Sequence, residues 1–307
     1  MKNFCLTGLL LLSLSVAGCQ SSASEAENAA KNAANTNAEN VAPKTQQTGE
    51  IKFPDADYPA TATTAKEGEY VLVPLQKSML ETYEKGLDQA AMVWYSQKMV
   101  KPGAEKSEIE FSNKEKHEVP NAYIIAIPAG GKAKKGDIVL TWWQSGSGMQ
   151  RAIVVDDSNP AEPVVRYLDM DYVETSSNGK TPTSQTDEKL KPNSFKVLTN
   201  ELQAGSMIKV NVNNRPRPGQ VLNVSGDKVF VRLFAGKIAV YPKSEVKPVP
   251  LKSKFKVGDK VSAVYIAEYK DAVVKKVDEK IGRVWVNFPD IPNSDRVVSF
   301  GNITPVE

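Results

Sequence analysis

From Gly136 onward the chain alternates apolar and polar positions in short runs, broken by glycine, proline and acidic turns. Alternation with period two is the pattern of a half-buried β-strand, because successive side chains point to opposite faces. The runs recur in a fixed order. KGDIVLTWW (135–143), AGSMIKVNV (204–212) and VGDKVSAVY (257–265) each open on a glycine and a polar residue and continue as a strand. A turn follows in the first two, QSGSG and NRPRPG, while the third runs through IAEYKD. Second strands are MQRAIVVDD, QVLNVSGD and DAVVKKVDE; third strands are PVVRYLDMDY, KVFVRLFAG and RVWVNFPDI. The last strands are SFKVLTNEL, IAVYPKSEV and RVVSFGNIT. Three copies of four or five short strands predict a mainly β chain with three tandem small barrels, at 136–204, 205–250 and 251–307. The first copy carries a polar insertion, VETSSNGKTPTSQTDEKLKPN, readable as a surface loop or as a lid over a neighbouring pocket.

The pattern over 51–135 is less regular. EYVLVPLQ, AMVWYSQKMV, SEIEFS and AYIIAIP read as strands. Ser78 and Glu81 have capping-box spacing, and Leu80, Tyr83 and Leu87 share a helical face, which predicts a short helix over 78–89 that Gly86 weakens. This β-rich N-terminal region with one short helix fits either a fourth, diverged barrel or a cap on the first repeat.

Composition changes the picture most at the start. Residues 20–50 are almost all Ala, Asn, Ser, Glu, Gln and Thr, too polar to offset chain entropy by burial, so 19–50 reads as a disordered tether. Before it, Lys2 precedes an apolar run from Leu6 to Val16, too short to span a bilayer and patterned as an export signal over 1–18. The end of that run, Val16-Ala17-Gly18-Cys19, resembles the lipobox of bacterial lipoproteins. The resemblance implies a lipidated Cys19 as the mature N-terminus, holding the protein on membrane lipid. Gln20 stands where inner-membrane lipoproteins carry aspartate, which by the same resemblance favours the outer membrane, facing the periplasm.

Loss of Cys5 with the signal and acylation of Cys19 leave no cysteine for a disulfide or a metal. The single histidine, His117, lies in a charged SNKEKHEVP context that reads as solvated surface, so no metal site is expected. No phosphate-binding glycine loop or nucleophile motif appears, and no cofactor is expected.

The order of glycine start, aromatic on strand one, turn, "RA-V" on strand two and "V-x-[FY]-x-D" on strand three resembles the Tudor and agenet domains of the SH3-like barrel family. GDIVLTWW, MQRAIVV and VVRYLDMDY carry it in the first copy; GDKVSAVY, DAVVKKV and VWVNFPDI carry it in the third. The second copy replaces the acidic step with Phe234-Ala235-Gly236. The resemblance implies an aromatic cage beside an acidic residue, which attracts cations. Matching positions are Trp142 or Trp143, Tyr167 or Tyr172 and Asp169 or Asp171 in the first copy, and Tyr265, Phe288 and Asp290 in the third. Adjacent tryptophans on a strand point to opposite faces, so the competing reading makes one of them core and the other a packing residue.

Charge is uneven. Residues 51–204 hold 18 Lys and Arg against 22 Asp and Glu, whereas 205–307 hold 18 against 10. Arg215 and Arg217 belong to this basic half. In a bacterial envelope the available anions are lipid headgroups, lipopolysaccharide, peptidoglycan and acidic proteins, and nucleic acid is absent. Asp169 and Asp171, at i and i+2 roughly 7 Å apart on a strand, raise a weaker hydrolase reading, because glycosidases need paired carboxylates. The expected function is therefore a non-enzymatic binding or scaffold lipoprotein for an envelope protein or polymer, with peptidoglycan attachment as the alternative.

Overall fold

Each of four consecutive segments folds into a five-stranded antiparallel sheet, and all four sheets share one strand order. The computed structural model describes residues 53–54, 56–175 and 179–306. The expected signal segment, Cys19 and the 19–50 tether lie outside the described residues. Barrel 1 is built from β1 (Tyr70–Pro74), β2 (Trp94–Lys101), β3 (Lys106–Glu110), β4 (Lys116–Pro120) and β5 (Ile125–Ile127), with helix α1 (Gln76–Lys85) after β1. Barrel 2 is β6 (Ile138–Trp142), β7 (Met149–Asp156), β8 (Val164–Tyr167), β9 (Glu188–Lys189) and β10 (Lys196–Val197). Barrel 3 is β11 (Met207–Val212), β12 (Arg215–Ser225), β13 (Lys228–Arg232), β14 (Ile238–Pro242) and β15 (Lys247–Pro248). Barrel 4 is β16 (Lys260–Tyr265), β17 (Glu268–Asp278), β18 (Arg283–Asn287), β19 (Arg296–Ser299) and β20 (Ile303–Pro305). In every sheet the first strand lies between the second and the fifth. The region 51–135 therefore contains a fourth sheet of the same kind.

One turn starts all four. Lys66–Glu69, Lys134–Asp137, Gln203–Ser206 and Lys256–Asp259 place Gly68, Gly136, Gly205 and Gly258 at φ of 79°, 85°, 99° and 93°. A Cβ is disfavoured there, so glycine is required by conformation. Each glycine N–H donates to a second-strand carbonyl, of Met99, Val154, Val221 or Val274, at 2.8–2.9 Å. The same four residues donate back to the carbonyls of Glu69, Asp137, Ser206 and Asp259. In three copies the acidic side chain closes the turn by accepting from the lysine N–H at 2.7–2.8 Å. Immediately past each second-strand anchor the ladder slips by one residue, between Met99 and Lys101, Val154 and Asp156, Val221 and Asn223, and Val274 and Lys276. A bulge bends the strand and tightens its twist. That bend lets five short strands curl around one core: Val139, Ala152, Val154, Val165 and Tyr167 meet Leu190 and Phe195 beside the last two strands of barrel 2.

The outer faces are buried too. All five residues of β6 are buried, because Val139 enters the core of barrel 2 while Ile138, Leu140 and Trp142 join a cluster shared among the barrels. In β13, Val229 and Val231 face inward and Phe230 joins the shared cluster. Trp142 lies against Tyr70 of barrel 1, ring centroids 4.9 Å apart. Tyr123 of barrel 1 meets Phe230 of barrel 3 edge-on at 5.2 Å, and the Met92 N–H donates to the Gly236 carbonyl nearby. β12 of barrel 3 lies along β17 of barrel 4, where Arg215 and Arg217 both hold Glu268, at 3.0 and 3.2 Å. Barrel 4 in turn contacts barrel 2, so the four barrels close into a ring of neighbours, 1–2–4–3.

Several expectations need correction. Helix α1 begins at Gln76 after Leu75, without a side-chain cap, so Ser78 is not its N-cap; it stops at Gly86. Its buried residues are Met79 and Thr82, leaving Leu80 and Tyr83 exposed. His117 sits on β4 opposite Ile109, half-buried, with its ring 5.9 Å from Phe111. The NRPRPG turn shrinks to Asn213-Asn214, both at positive φ as a two-residue hairpin requires, and Arg215–Gly219 is strand. IAEYKD likewise becomes strand from Glu268. The insertion of barrel 2 contains β9 and a short helical turn at Thr183–Gln185, and Ser184 accepts from the Val173 N–H.

Gly258 isolates the conformational demand of the repeated turn, because an added Cβ there would meet nothing within 4 Å. Gly258→Ala is expected to destabilise the folded chain by about 1 kcal/mol, read as a lowered urea midpoint with an unchanged slope.

Candidate functional site

Between barrels 2, 3 and 4 lies a cleft of about 600 Å³. Barrel 2 contributes the segment after β8, Leu168 to Tyr172; barrel 3 contributes Arg232, Leu233 and Phe234 at the end of β13; barrel 4 contributes Tyr265, Ile266, Arg283 and Arg296. These positions are the ends of strands and the hairpin tips that follow them, brought together by closure of the ring.

Two arginines fix the walls. Arg151 on β7 is 1% exposed and points out of its own barrel. Its Nε and Nη2 donate to Asp169, its backbone N–H donates to the same carboxylate at 2.7 Å, and its Nη1 reaches the Phe300 carbonyl of barrel 4 at 2.9 Å. Gly301 makes that approach possible, since a Cβ there would stand 2.0 Å from Nη1. Arg283 on β18 is 2% exposed and reaches the other way, its Nη2 donating to the Tyr167 and Met170 carbonyls of barrel 2 at 2.7 and 3.1 Å. Its Nε has no acceptor among the described residues. Burial weakens the hold of Arg283 on its proton, lowering its pKa to about 10, with Asp169 pulling in the opposite direction.

Aromatic rings line the barrel 2–barrel 4 wall. Tyr172 meets Trp285 edge-on at 5.6 Å, and the guanidinium of Arg283 stands 5.5 Å from the Tyr172 ring. Trp285 Nε1 donates to Glu174 at 2.7 Å. Tyr265 meets Phe288 at 5.0 Å and carries Arg296 over its face at 5.5 Å. Phe234 and Ile266 remain 58% and 75% exposed at the cleft.

Of the candidate residues, Asp169, Asp171, Tyr172 and Tyr265 come together at this cleft. Phe288 is buried behind Tyr265, and Asp290 is exposed in the following turn, away from the cleft lining. Tyr167 is core: its hydroxyl lies between the Trp142 carbonyl and the Glu188 carboxylate, and burial with that neighbour pushes its pKa up. The tryptophans do point apart. Trp142 packs on barrel 1, while Trp143 lies against the core of barrel 2 and covers Gly146 in its own turn. The ring that meets Tyr172 is thus Trp285. Asp169 and Asp171 lie beyond the end of β8 and not as a pair on its face, and Asp169 is occupied by Arg151. Arg215 and Arg217 are bound to Glu268, whose carboxyl their presence holds below its usual range. Sequence reasoning missed Arg151, Arg232, Arg283, Arg296 and Trp285. The available signal was a single arginine within or at the end of an otherwise apolar strand, in MQRAIVV, VFVRLF and RVWVNF. Among the described residues no group of three His, Cys, Asp or Glu side chains could hold a metal ion.

No family model matches the sequence, and no curated protein matches it. Solved structures do. A crystal structure of Arabidopsis thaliana AGDP1 AGD34 matches with 18% identity and a TM-score of 0.22, covering 34% of this chain and 83% of that one. A crystal structure of ADCP1 tandem Agenet domain 3-4 matches with 20% identity and a TM-score of 0.21, covering 34% of this chain and 81% of that one. The assignment of four barrels stands on strand pairing in this chain and not on those likenesses.

The buried arginine is expected to be structural. Arg151→Ala leaves Asp169 unpaired in a crowded wall and should cost about 3–5 kcal/mol in chemical denaturation, whereas Arg166→Ala, at a more exposed pair, should cost under about 1 kcal/mol.

Proposed function

We propose that the chain is a non-enzymatic binding module that holds its ligand in the cleft between barrels 2, 3 and 4. The observation that carries this reading is the concentration of Phe234, Ile266, Tyr172 and Tyr265 around one opening, two of them large apolar side chains left exposed beside arginines. Apolar surface with a few polar groups in a concave site of this volume is what ligand recognition requires. A hydrolase has less support, because the lone pairs of Asp169 are committed to Arg151 and its backbone N–H. Peptidoglycan attachment through Arg215 and Arg217 also has less support, because both guanidiniums already hold Glu268. The lipobox resemblance at Cys19 supports a lipid anchor on the periplasmic face of the outer membrane, with the cleft presented to a soluble or membrane-bound envelope partner.

Photo-crosslinking in cells tests this. A crosslinker at Phe234 should yield a discrete adduct that a crosslinker at exposed Leu80 does not, and Tyr265→Ala should remove it. The same adducts from both positions, or none from Phe234, would contradict the cleft as binding site. Cys19→Ser should move the protein from the membrane to the soluble fraction; retention in the membrane would contradict the anchor.

A further inference from the structure

Three arginines line the cleft, and the side chain of one of them holds no group among the described residues. Arg232 is half-buried at the end of β13, and burial lowers its pKa against the attraction of Asp169. Its side chain makes no hydrogen bond or ion pair with any described residue, while Asp169, the anion that acts on it, is taken up by Arg151. Arg283 adds a buried Nε without an acceptor. A partly desolvated guanidinium without a protein partner is left under-satisfied, and its planar fork matches a carboxylate with two parallel bonds. The remaining charges narrow the class. Asp169 and exposed Asp171 share the lining, so a multiply charged anion would meet repulsion, whereas a ligand offering N–H groups as well as an anion would satisfy both signs. Phe234 and Ile266 at the same opening offer apolar surface to a side chain.

We propose that the cleft recognises a peptide carrying a carboxylate next to an apolar side chain. The carboxylate docks on Arg232, with the charge of Arg283 lining the same cleft, the apolar group covers Phe234 and Ile266, and backbone amides face Asp171. This rests on the reading of the cleft as the binding site. The carboxylate comes either from an acidic side chain or from a C-terminus.

The test uses the full chain and four probes followed by nuclear magnetic resonance: acetyl-Phe-Asp-amide, acetyl-Ala-Phe with a free C-terminus, the neutral acetyl-Phe-Asn-amide, and inorganic phosphate. One carboxylate peptide should bind about tenfold more tightly than the neutral one and shift the Arg232 Nε–H signal. Arg232→Gln should bring the ratio to about one, and since its guanidinium holds no other group among the described residues the fold should survive, checked by an unchanged amide spectrum away from the cleft. Tighter binding of the first probe assigns the carboxylate to a side chain; tighter binding of the second assigns it to a terminus. Equal affinity of neutral and charged peptides, no peptide binding, unaltered discrimination in Arg232→Gln, or phosphate binding more tightly than both peptides would overturn the proposal. Equal affinity with shifts confined to Phe234 and Ile266 would do so while leaving the cleft itself as the binding site.

Discussion

A barrel of about fifty residues is too small to bury enough surface to be comfortably stable alone. The structure answers this by burying its barrels twice. Val139, Ala152 and Val154 fill barrel 2 from within, while Ile138, Leu140, Trp142, Met149 and Ile153 on the opposite faces of the same strands fill the space between barrels. Barrel 3 divides its residues the same way, with Phe230 facing barrel 1. Every other feature follows from the second burial. Closing the ring requires each barrel to present two docking faces, and it places the loops of three barrels around one opening.

Closure also explains why charged residues occupy dry positions. Arg151 and Arg283 reach in opposite directions across the same joint, each ending on carbonyls of the other barrel. A guanidinium with five donors can satisfy backbone groups that two curved surfaces leave open, which apolar side chains cannot do. The same exchange leaves the cleft with a surplus of positive charge, because Asp169 answers Arg151 and little remains for Arg232. Joint and binding surface are thus one construction, and the selectivity proposed for the cleft is a consequence of how the barrels are held.

Much of this was legible in the residues. Alternation fixes the strands, and the repeated glycine and polar pair marks where three barrels begin. The first barrel has the same start in Lys66-Glu67-Gly68-Glu69, but helix α1 and the residues to Met92 separate β1 from β2 and break the spacing that reveals the others. β4 was hidden because KHEVP is charged on an edge strand. The site was legible only in part. Period two sends Arg151 outward and Val154 inward, and an outward arginine reads as solvated until another barrel covers it. Trp142 and Trp143 look alike in sequence, yet one serves the joint with barrel 1 and the other its own core. Tyr172 meets a ring 113 residues further on, Trp285, and no local pattern joins them. Local strand structure comes from near neighbours, whereas ring closure depends on shape complementarity between distant faces.

Cooperativity is the most direct gauge of whether the four barrels are one folding unit. In calorimetry the described region should unfold in a single transition whose calorimetric and van't Hoff enthalpies agree. Separate transitions, or a calorimetric enthalpy several times the van't Hoff value, would mean that the barrels are independent beads and that the outer-face burial contributes little.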